Sequence, residues 1–391
     1  MHLEEPPASL AARAALRRPA IVAPAPREAS FGHVSGRVFA GTTRVLVYVD
    51  GDLRRSVPVS GGGPFSFTLS LPPRDVRIRV AARGAAGARA GRTVTPVYGL
   101  PRAAAPRRTR PSAQDTVLAR RLRGLARAYP GIAAVYAQDL RTGQGAAWNA
   151  RARFPAASTL KLAIAIEVLR TLGAPPRAGS SLDRSIQRML VYSDNAAANS
   201  LLVWLGGSTS GGAARVNALM RSLGIHDSLM YGGYAVRTAA RRPIPLRVNE
   251  QPAFGVGKYT TAWDLVRLHR GVHQAVSGFG ALAHTEGRFR RSDARYLLWV
   301  LAHVADHGKL DRYLPGGTST LHKAGWIRQA RHDAGLVYWR GGVFIVGVMT
   351  WNAGGAGSSS DVLAGRVARR ALDRFRDLRD ASDSPTASLA T

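Results

Sequence analysis

Four lysines stand among 51 arginines in this 391-residue chain, at Lys161, Lys258, Lys309 and Lys323. A guanidinium stays protonated at any accessible pH, whereas a buried ammonium can lose its proton and act as a base. Lys161 is placed for that use. Ser158-Thr159-Leu160-Lys161 sets a hydroxyl and an amine three residues apart, which on a helix puts both on one face. A serine hydroxyl is a weak nucleophile until a neighbouring base takes its proton. Lys161 can take it only where burial and a second cation lower its pKa, and Lys323 is the candidate for that cation. Between the two lysines lies Ser193-Asp194-Asn195. There Ser193 could relay a proton to a leaving group and Asn195 could hydrogen-bond a substrate amide. Taken singly, each motif has a plain structural reading. Ser158 would be a helix N-cap after Phe154-Pro155, Ser193 to Asn195 would open a helix, and Lys323-Ala324-Gly325 would sit on a strand edge.

The elements that must position these groups follow from periodicity. Residues 1–30 are rich in Pro, Ala and Arg and read as a flexible tail. From 31 to 99, short alternating runs such as Arg44 to Val49, Pro64 to Leu69 and Val76 to Val80 are punctuated by Asp50-Gly51 and Gly61-Gly62-Gly63, the pattern of a small β-sandwich. This stretch resembles bacterial immunoglobulin-like accessory domains. Residues 100–114 read as a Pro/Arg-rich linker. The unit from 115 to 378 opens with a helix (116–128) and a hairpin (133–139 with 146–148), continues with an apolar helix from Ser158 to about Leu172, and stays mostly helical to 307. Strands at 319–327, 334–340 and 343–351 and an amphipathic helix at 358–377 complete it, and 379–391 reads as a second tail. Strands early and late with helices between give an α+β class: an antiparallel sheet built from both chain ends, plus a helical lobe. The cleft between sheet and lobe is the expected site.

Bulk properties narrow the chemistry. The formal charge is +31 and the hydrophobic content 46%, but the arginines are spread along the chain without zinc spacing or an aromatic RNA-binding signature, so nucleic acid is not an expected partner. An anionic cell-wall or membrane surface is the expected electrostatic partner. The absence of cysteine excludes disulfides, zinc–thiolate sites and thiol nucleophiles. No segment is long and apolar enough to be a transmembrane helix, and the first thirty residues lack the apolar core of a secretory signal. His269 with His273 and His303 with His307 stand at metal-ligand spacing. Asp306 is misplaced for a zinc protease and no third ligand is evident. They read as exposed helix histidines, and neither a metal nor a cofactor is expected.

In order, spacing and placement the three motifs resemble those of the penicillin-recognising serine hydrolases, Ser-x-x-Lys, Ser-Asp-Asn and Lys-Thr-Gly. Phe154 to Lys161 and Ser193 to Asn199 look like the two longest motifs of the class A β-lactamase branch, and Tyr259-Thr260-Thr261-Ala262 resembles the start of a later helix there. The resemblance covers about two-thirds of the chain and excludes the first 110 or so residues. It implies a β-lactamase/transpeptidase-like fold behind the β-sandwich, acting on a small-molecule or peptidoglycan-derived substrate. By that resemblance Ser158 is the acylated nucleophile, Lys161 its base and Ser193 the proton relay. Asn195 orients the substrate amide and Lys323 supplies a positive field. Backbone N–H groups of Ser158 and Trp326, the latter following Gly325, form the oxyanion hole, and Arg331 helps to hold a substrate carboxylate. An extracytoplasmic location and a monomer are the accompanying expectations.

Two departures qualify this. Ala324 replaces the threonine of the third motif, which removes a hydroxyl; a hydrogen bond to a charged group contributes roughly 1.5–3 kcal/mol. The family's Glu-x-x-Leu-Asn loop, whose glutamate activates the deacylating water, is missing between Asn195 and Thr261. Glu250 is the only glutamate there, near the expected place but with flanks that do not match. The leading reading is a serine hydrolase that acylates Ser158 with a β-lactam or cell-wall peptide amide and hydrolyses the acyl-enzyme. The alternatives are a D,D-peptidase or transpeptidase-like penicillin-binding protein with slow deacylation, and a non-catalytic cell-wall binding or sensor module.

Overall fold

The computed structural model describes residues 16–107, 112–236, 242–248, 251, 254–285, 287 and 289–383. The chain divides into two compact units, Met1–Gly99 and Leu100–Thr391. The first is all-β: β1 (Ala20–Ala23), β2 (Glu28–Ser30), β3 (His33–Val38), β4 (Thr42–Val49), β5 (Asp52–Pro58), β6 (Gly63–Thr68), β7 (Asp75–Gly84) and β8 (Arg89–Gly99). They form a three-stranded sheet, β1-β3-β6, and a five-stranded sheet, β2-β8-β7-β4-β5. Strand alternation turns Val76, Ile78 and Val80 inward to meet Val34, Val45 and Val47, while Arg77 and Arg79 point out. The unit begins earlier than the composition suggested. Residues 20–30 are not tail: Ala20 pairs with Arg37, and Glu28 runs parallel to Val97. Prolines at 24 and 26 mask these strands, yet proline is tolerated where a strand ends at a sheet edge.

The second unit runs β9 (Ala113–Gln114), α1 (Thr116–Arg127), β10 (Ile132–Asp139), β11 (Gln144–Trp148), β12 (Phe154–Pro155), α2 (Lys161–Leu172), α3 (Ser181–Val191), α4 (Asn195–Gly206) and α5 (Thr209–Ser222). It continues with β13 (Tyr259–Thr260), α6 (Ala262–Ala275), α7 (Gly280–His284), α8 (Arg291–Leu301), β14 (Ser319–Trp326), β15 (Ala330–Trp339), β16 (Gly342–Trp351) and α9 (Ser358–Asp383). The sheet order is β14-β15-β16-β10-β11-β9, so the last three strands of the chain pair onto the first hairpin. All pairings are antiparallel except β9 with β11. That pairing takes the end of the expected linker into the sheet, and α9 runs to Asp383, past the expected boundary at 378.

Both faces of this sheet are covered, which is why β16 reads as an unbroken apolar run. Leu118 and Leu122 of α1 and Val367, Leu372 and Phe375 of α9 pack on one face against Val135, Val346 and Val348. The other face carries α6, brought close by Gly347, where a Cβ would stand 3.0 Å from Val266 Cγ1 and 3.2 Å from the Ala262 carbonyl. Helix α2 is buried on every side from Lys161 to Leu169, as a helix without a polar face must be. No helix among the described residues is long and apolar enough to cross a membrane.

Gly347→Val adds two methyls beyond a Cβ already in tight contact, an overpacking that costs about 1–3 kcal/mol. Denaturant unfolding should show the lowered midpoint; an unchanged midpoint would mean that α6 is not pressed on β16 there.

Candidate active site

The turn that carries Ser158 is fixed from several sides before α2 begins. Phe154 and Pro155 pair with Thr260 and Tyr259, and the Ala156 N–H donates to the Lys258 carbonyl at 2.8 Å. Ala157 sits at φ +46°, a left-handed conformation that a residue with a Cβ adopts only where its surroundings enforce it. Thr159 Oγ1 closes the turn on the Ala156 carbonyl at 2.6 Å. From the sheet side, His332 Nε2 lies 2.8 Å from the Pro155 carbonyl and the Thr350 N–H donates to His332 Nδ1 at 3.2 Å. Burial holds the His332 pKa down, at about 4, so the ring is neutral with its proton on Nε2. The sequence suggested a helix starting at Ser158; in fact α2 starts at Lys161, with Ser158 to Leu160 in the preceding turn.

Lys161 is buried at 0% exposure. Its Nζ donates to the Ser193 carbonyl at 2.6 Å and to Asn195 Oδ1 at 2.7 Å, with Ser193 Oγ at 3.4 Å. Ser193 occupies φ +58°, the conformation that turns its carbonyl and its hydroxyl to the same ammonium. Burial first, then the charge of Lys323, brings Lys161 down to about 7; Asp194 pulls the other way, and Lys258 adds a lesser push down. In a neutral amine the two strong contacts take both hydrogens and leave the lone pair for a hydroxyl. The expected contact between the Lys161 amine and the Ser158 hydroxyl is not made: Lys161 bonds Ser158 only through the backbone, its N–H donating to the Ser158 carbonyl at 3.2 Å. Asn195 gives its side-chain oxygen to Lys161, which leaves its amide NH2 as the group for the expected role toward a substrate amide. Asp194 caps α4, accepting from the Ala197 N–H at 2.9 Å.

Lys323 reaches the same hydroxyl from β14, donating to Ser193 Oγ at 3.2 Å and to the Ala324 carbonyl at 2.8 Å. Burial lowers it to about 8, partly offset by Asp306 and Asp333. At Gly325 a Cβ would lie 2.6 Å from the Ser158 nitrogen and 2.8 Å from that of Thr159, so glycine is required for the strand to abut the turn. Ile327 and Ala330 exchange backbone hydrogen bonds in both directions, at 2.8 and 3.3 Å. Antiparallel alternation then points the Trp326 N–H away from β15, to the free edge of the sheet, where Ser158 lies. Ala324, buried and paired with Asp333, offers the pocket no side-chain polar atom. Arg331 is a correction. Its neighbour His332 faces the Ser158 turn, so Arg331 faces the opposite side of the sheet, ion-paired with Asp361 of α9 at 2.7 Å. Glu250 lies outside the described residues.

Sequence reasoning missed Lys258, Tyr234 and Asn199. Lys258 and Tyr234 line one pocket with Ser158, Asn195 and Trp326, and no carboxylate lines it among the described residues. Asn199 holds the Tyr234 backbone, accepting from its N–H at 2.7 Å and donating to its carbonyl at 2.9 Å. Lysine scarcity was the available signal, since three of the four lysines converge here; the fourth, Lys309, pairs with Asp306. The histidine reading needs correcting too. His269 and His273 are buried and held neutral by burial, each at about 3. No group of side chains able to hold a metal occurs among the described residues.

The model of the beta-lactamase enzyme family matches residues 117–175 and 172–375. Among solved structures, PBP-A is 20% identical over 69% of this chain and 99% of its own, with a TM-score of 0.55. A mutant of PBP-A, in an acyl-enzyme complex with penicillin-G, gives 20%, 68%, 99% and 0.54. The β-lactamase from Sphaerobacter thermophilus gives 21%, 67%, 98% and 0.51. At these identities the likeness speaks for the fold. No curated protein matches the chain.

With four lysines in all, selectively labelled lysine can be followed by NMR and assigned through single Lys→Arg variants. The Lys161 resonance should titrate near pH 7 and that of Lys323 near 8. Titration of Lys161 close to its ordinary value of about 10.4 would contradict the electrostatics described.

Proposed function

The chain belongs to the beta-lactamase enzyme family, and on that footing we propose that it is a serine hydrolase acylated on Ser158 by a β-lactam or a cell-wall peptide amide. The observation that carries this reading is the set of contacts around Lys161. Its two short hydrogen bonds run to oxygens that cannot accept its proton, and its lowered pKa makes the lone pair available at neutral pH. In acylation, Ser158 Oγ attacks the substrate carbonyl and its proton passes to Lys161. The oxyanion forms beside the N–H groups of Ser158 and Trp326, where preorganised donors act most strongly. Ser193, within reach of both Lys161 and Lys323, relays the proton to the leaving nitrogen. The ammonium of Lys323 serves as the positive field for a substrate carboxylate. Such substrates place the protein outside the cytoplasm, at the cell wall.

A second reading, a D,D-peptidase or transpeptidase-like penicillin-binding protein with slow deacylation, is favoured by one observation. The pocket beside Ser158 has no carboxylate among its described lining, so none of the described residues there offers water the usual base. The PBP-A mutant held as an acyl-enzyme with penicillin-G makes a penicillin the first probe to use.

Intact-protein mass after incubation with a penicillin and with a cephalosporin tests the proposal. An adduct, or turnover of the ligand, is expected for the wild type and neither for Ser158→Ala. Lys161→Arg keeps the charge and should slow acylation by about 100-fold or more, the scale of a lost general base. A wild type that neither forms an adduct nor consumes the ligand would overturn the reading.

A further inference from the structure

Release of an acyl group from Ser158 needs a second nucleophile and a base for its proton, a need that rests on the acylation of Ser158 proposed for this site. Lys258 and Tyr234 share the pocket with Ser158. Lys258 is tied to the nucleophile's own turn, because its carbonyl accepts the Ala156 N–H two residues before Ser158. Its Nζ donates to the Gly233 carbonyl at 2.7 Å and stands 4.8 Å from the ring centroid of Tyr234 and 5.4 Å from that of Tyr231. Lys161 Nζ stands 4.7 Å from the same Tyr234 ring. No described carboxylate pairs with Lys258. The groups around it are the two phenols and, through the shared Tyr234 ring, Lys161, with Asp194 and Lys323 acting on that lysine. The Tyr234 hydroxyl is buried, in a residue 8% exposed, without a hydrogen-bond partner among the described residues. Burial raises its pKa, so it is a neutral phenol that cannot act as the base. Burial lowers the pKa of Lys258.

We propose that Lys258, in its neutral form, is the general base of the second half-reaction, taking the proton of the water or amine that attacks the Ser158 acyl group. The nucleophile's oxygen or nitrogen bonds to the acyl carbon as its proton passes to Lys258 Nζ. The tetrahedral intermediate collapses, the bond to Ser158 Oγ breaks, and the proton held on Lys258 returns to that oxygen. The acyl product leaves and both residues regain their starting forms, with no further reactant. This gives the site an amine where a hydrolase of this family would place a carboxylate.

The test tracks decay of a penicillin acyl-enzyme on the full chain by intact mass. It is formed at alkaline pH, where Lys161 is neutral with or without its neighbour, and freed of excess ligand. Lys258→Met removes the amine and Lys258→Arg keeps the charge without a usable lone pair; thermal melts of both report on folding. Both variants should acylate and then decay about 100-fold or more slowly than the wild type. Both should also lose the rise of decay rate with pH expected of the wild type. Glu250→Gln should decay like the wild type. Wild-type decay rates in Lys258→Met, a wild-type acyl-enzyme that does not decay at any pH, or loss of decay in Glu250→Gln alone would each overturn the proposal. Absence of any adduct or turnover in the wild type would instead remove the acylation reading, and the role of Lys258 with it.

Discussion

Everything in the site depends on a cation kept where a cation is poorly solvated. Lys161 is fully buried, and its proton is opposed by burial and by two more ammonium groups. Desolvation disfavours the charged form of a lysine, and a like charge nearby does the same. The charge of Asp194 opposes that fall, and two hydrogen bonds, to the Ser193 carbonyl and to Asn195, fix the direction of the lone pair. Arginine could not take this place, because it would hold its proton whatever the surroundings. On the proposed mechanism the compositional oddity of four lysines among 51 arginines has a physical content: where the proton must be mobile, lysine is kept.

The rest of the second unit can be understood as the frame for that amine. Helix α2 needs an apolar surround on every side, and α3, α4 and α5 together with α8 provide it. The sheet contributes an edge and a face to the site: β14 presents the Trp326 N–H and the glycine that lets it touch the Ser158 turn, while Lys323 and His332 reach Ser193 and the Pro155 carbonyl from one face. Two residues at positive φ, Ala157 and Ser193, precede Ser158 and supply the hydroxyl proposed as the relay, respectively. Such conformations, costly at about 1–3 kcal/mol each, are held here by hydrogen bonds on both sides.

Much of this was legible in the chain. The three motifs located Ser158, Lys161, Ser193, Lys323 and Gly325, because in each the residue type and the local element carry the information together. The long periodic elements were legible for the same reason. What escaped depends on approach between distant segments. Arg331 follows the site strand in sequence, yet the two-residue alternation of a strand sends its side chain to α9. Lys258 has no motif around it and joins the site only because β12 pairs with β13. The strands at 20–30 were hidden by prolines whose cost vanishes at a sheet edge. His269 and His273, spaced like helix-surface ligands, are buried because α6 is covered on several sides.

The central claim is that Lys161 is the proton acceptor for Ser158 and is tuned by Lys323. The most direct measurement is the pH dependence of the second-order rate of Ser158 acylation by a penicillin, in the wild type and in Lys323→Met. The account predicts a rise governed by an apparent pKa near 7, displaced upward when the neighbouring charge is removed. A rate that is flat through neutral pH, or a rise that does not move in Lys323→Met, would contradict it.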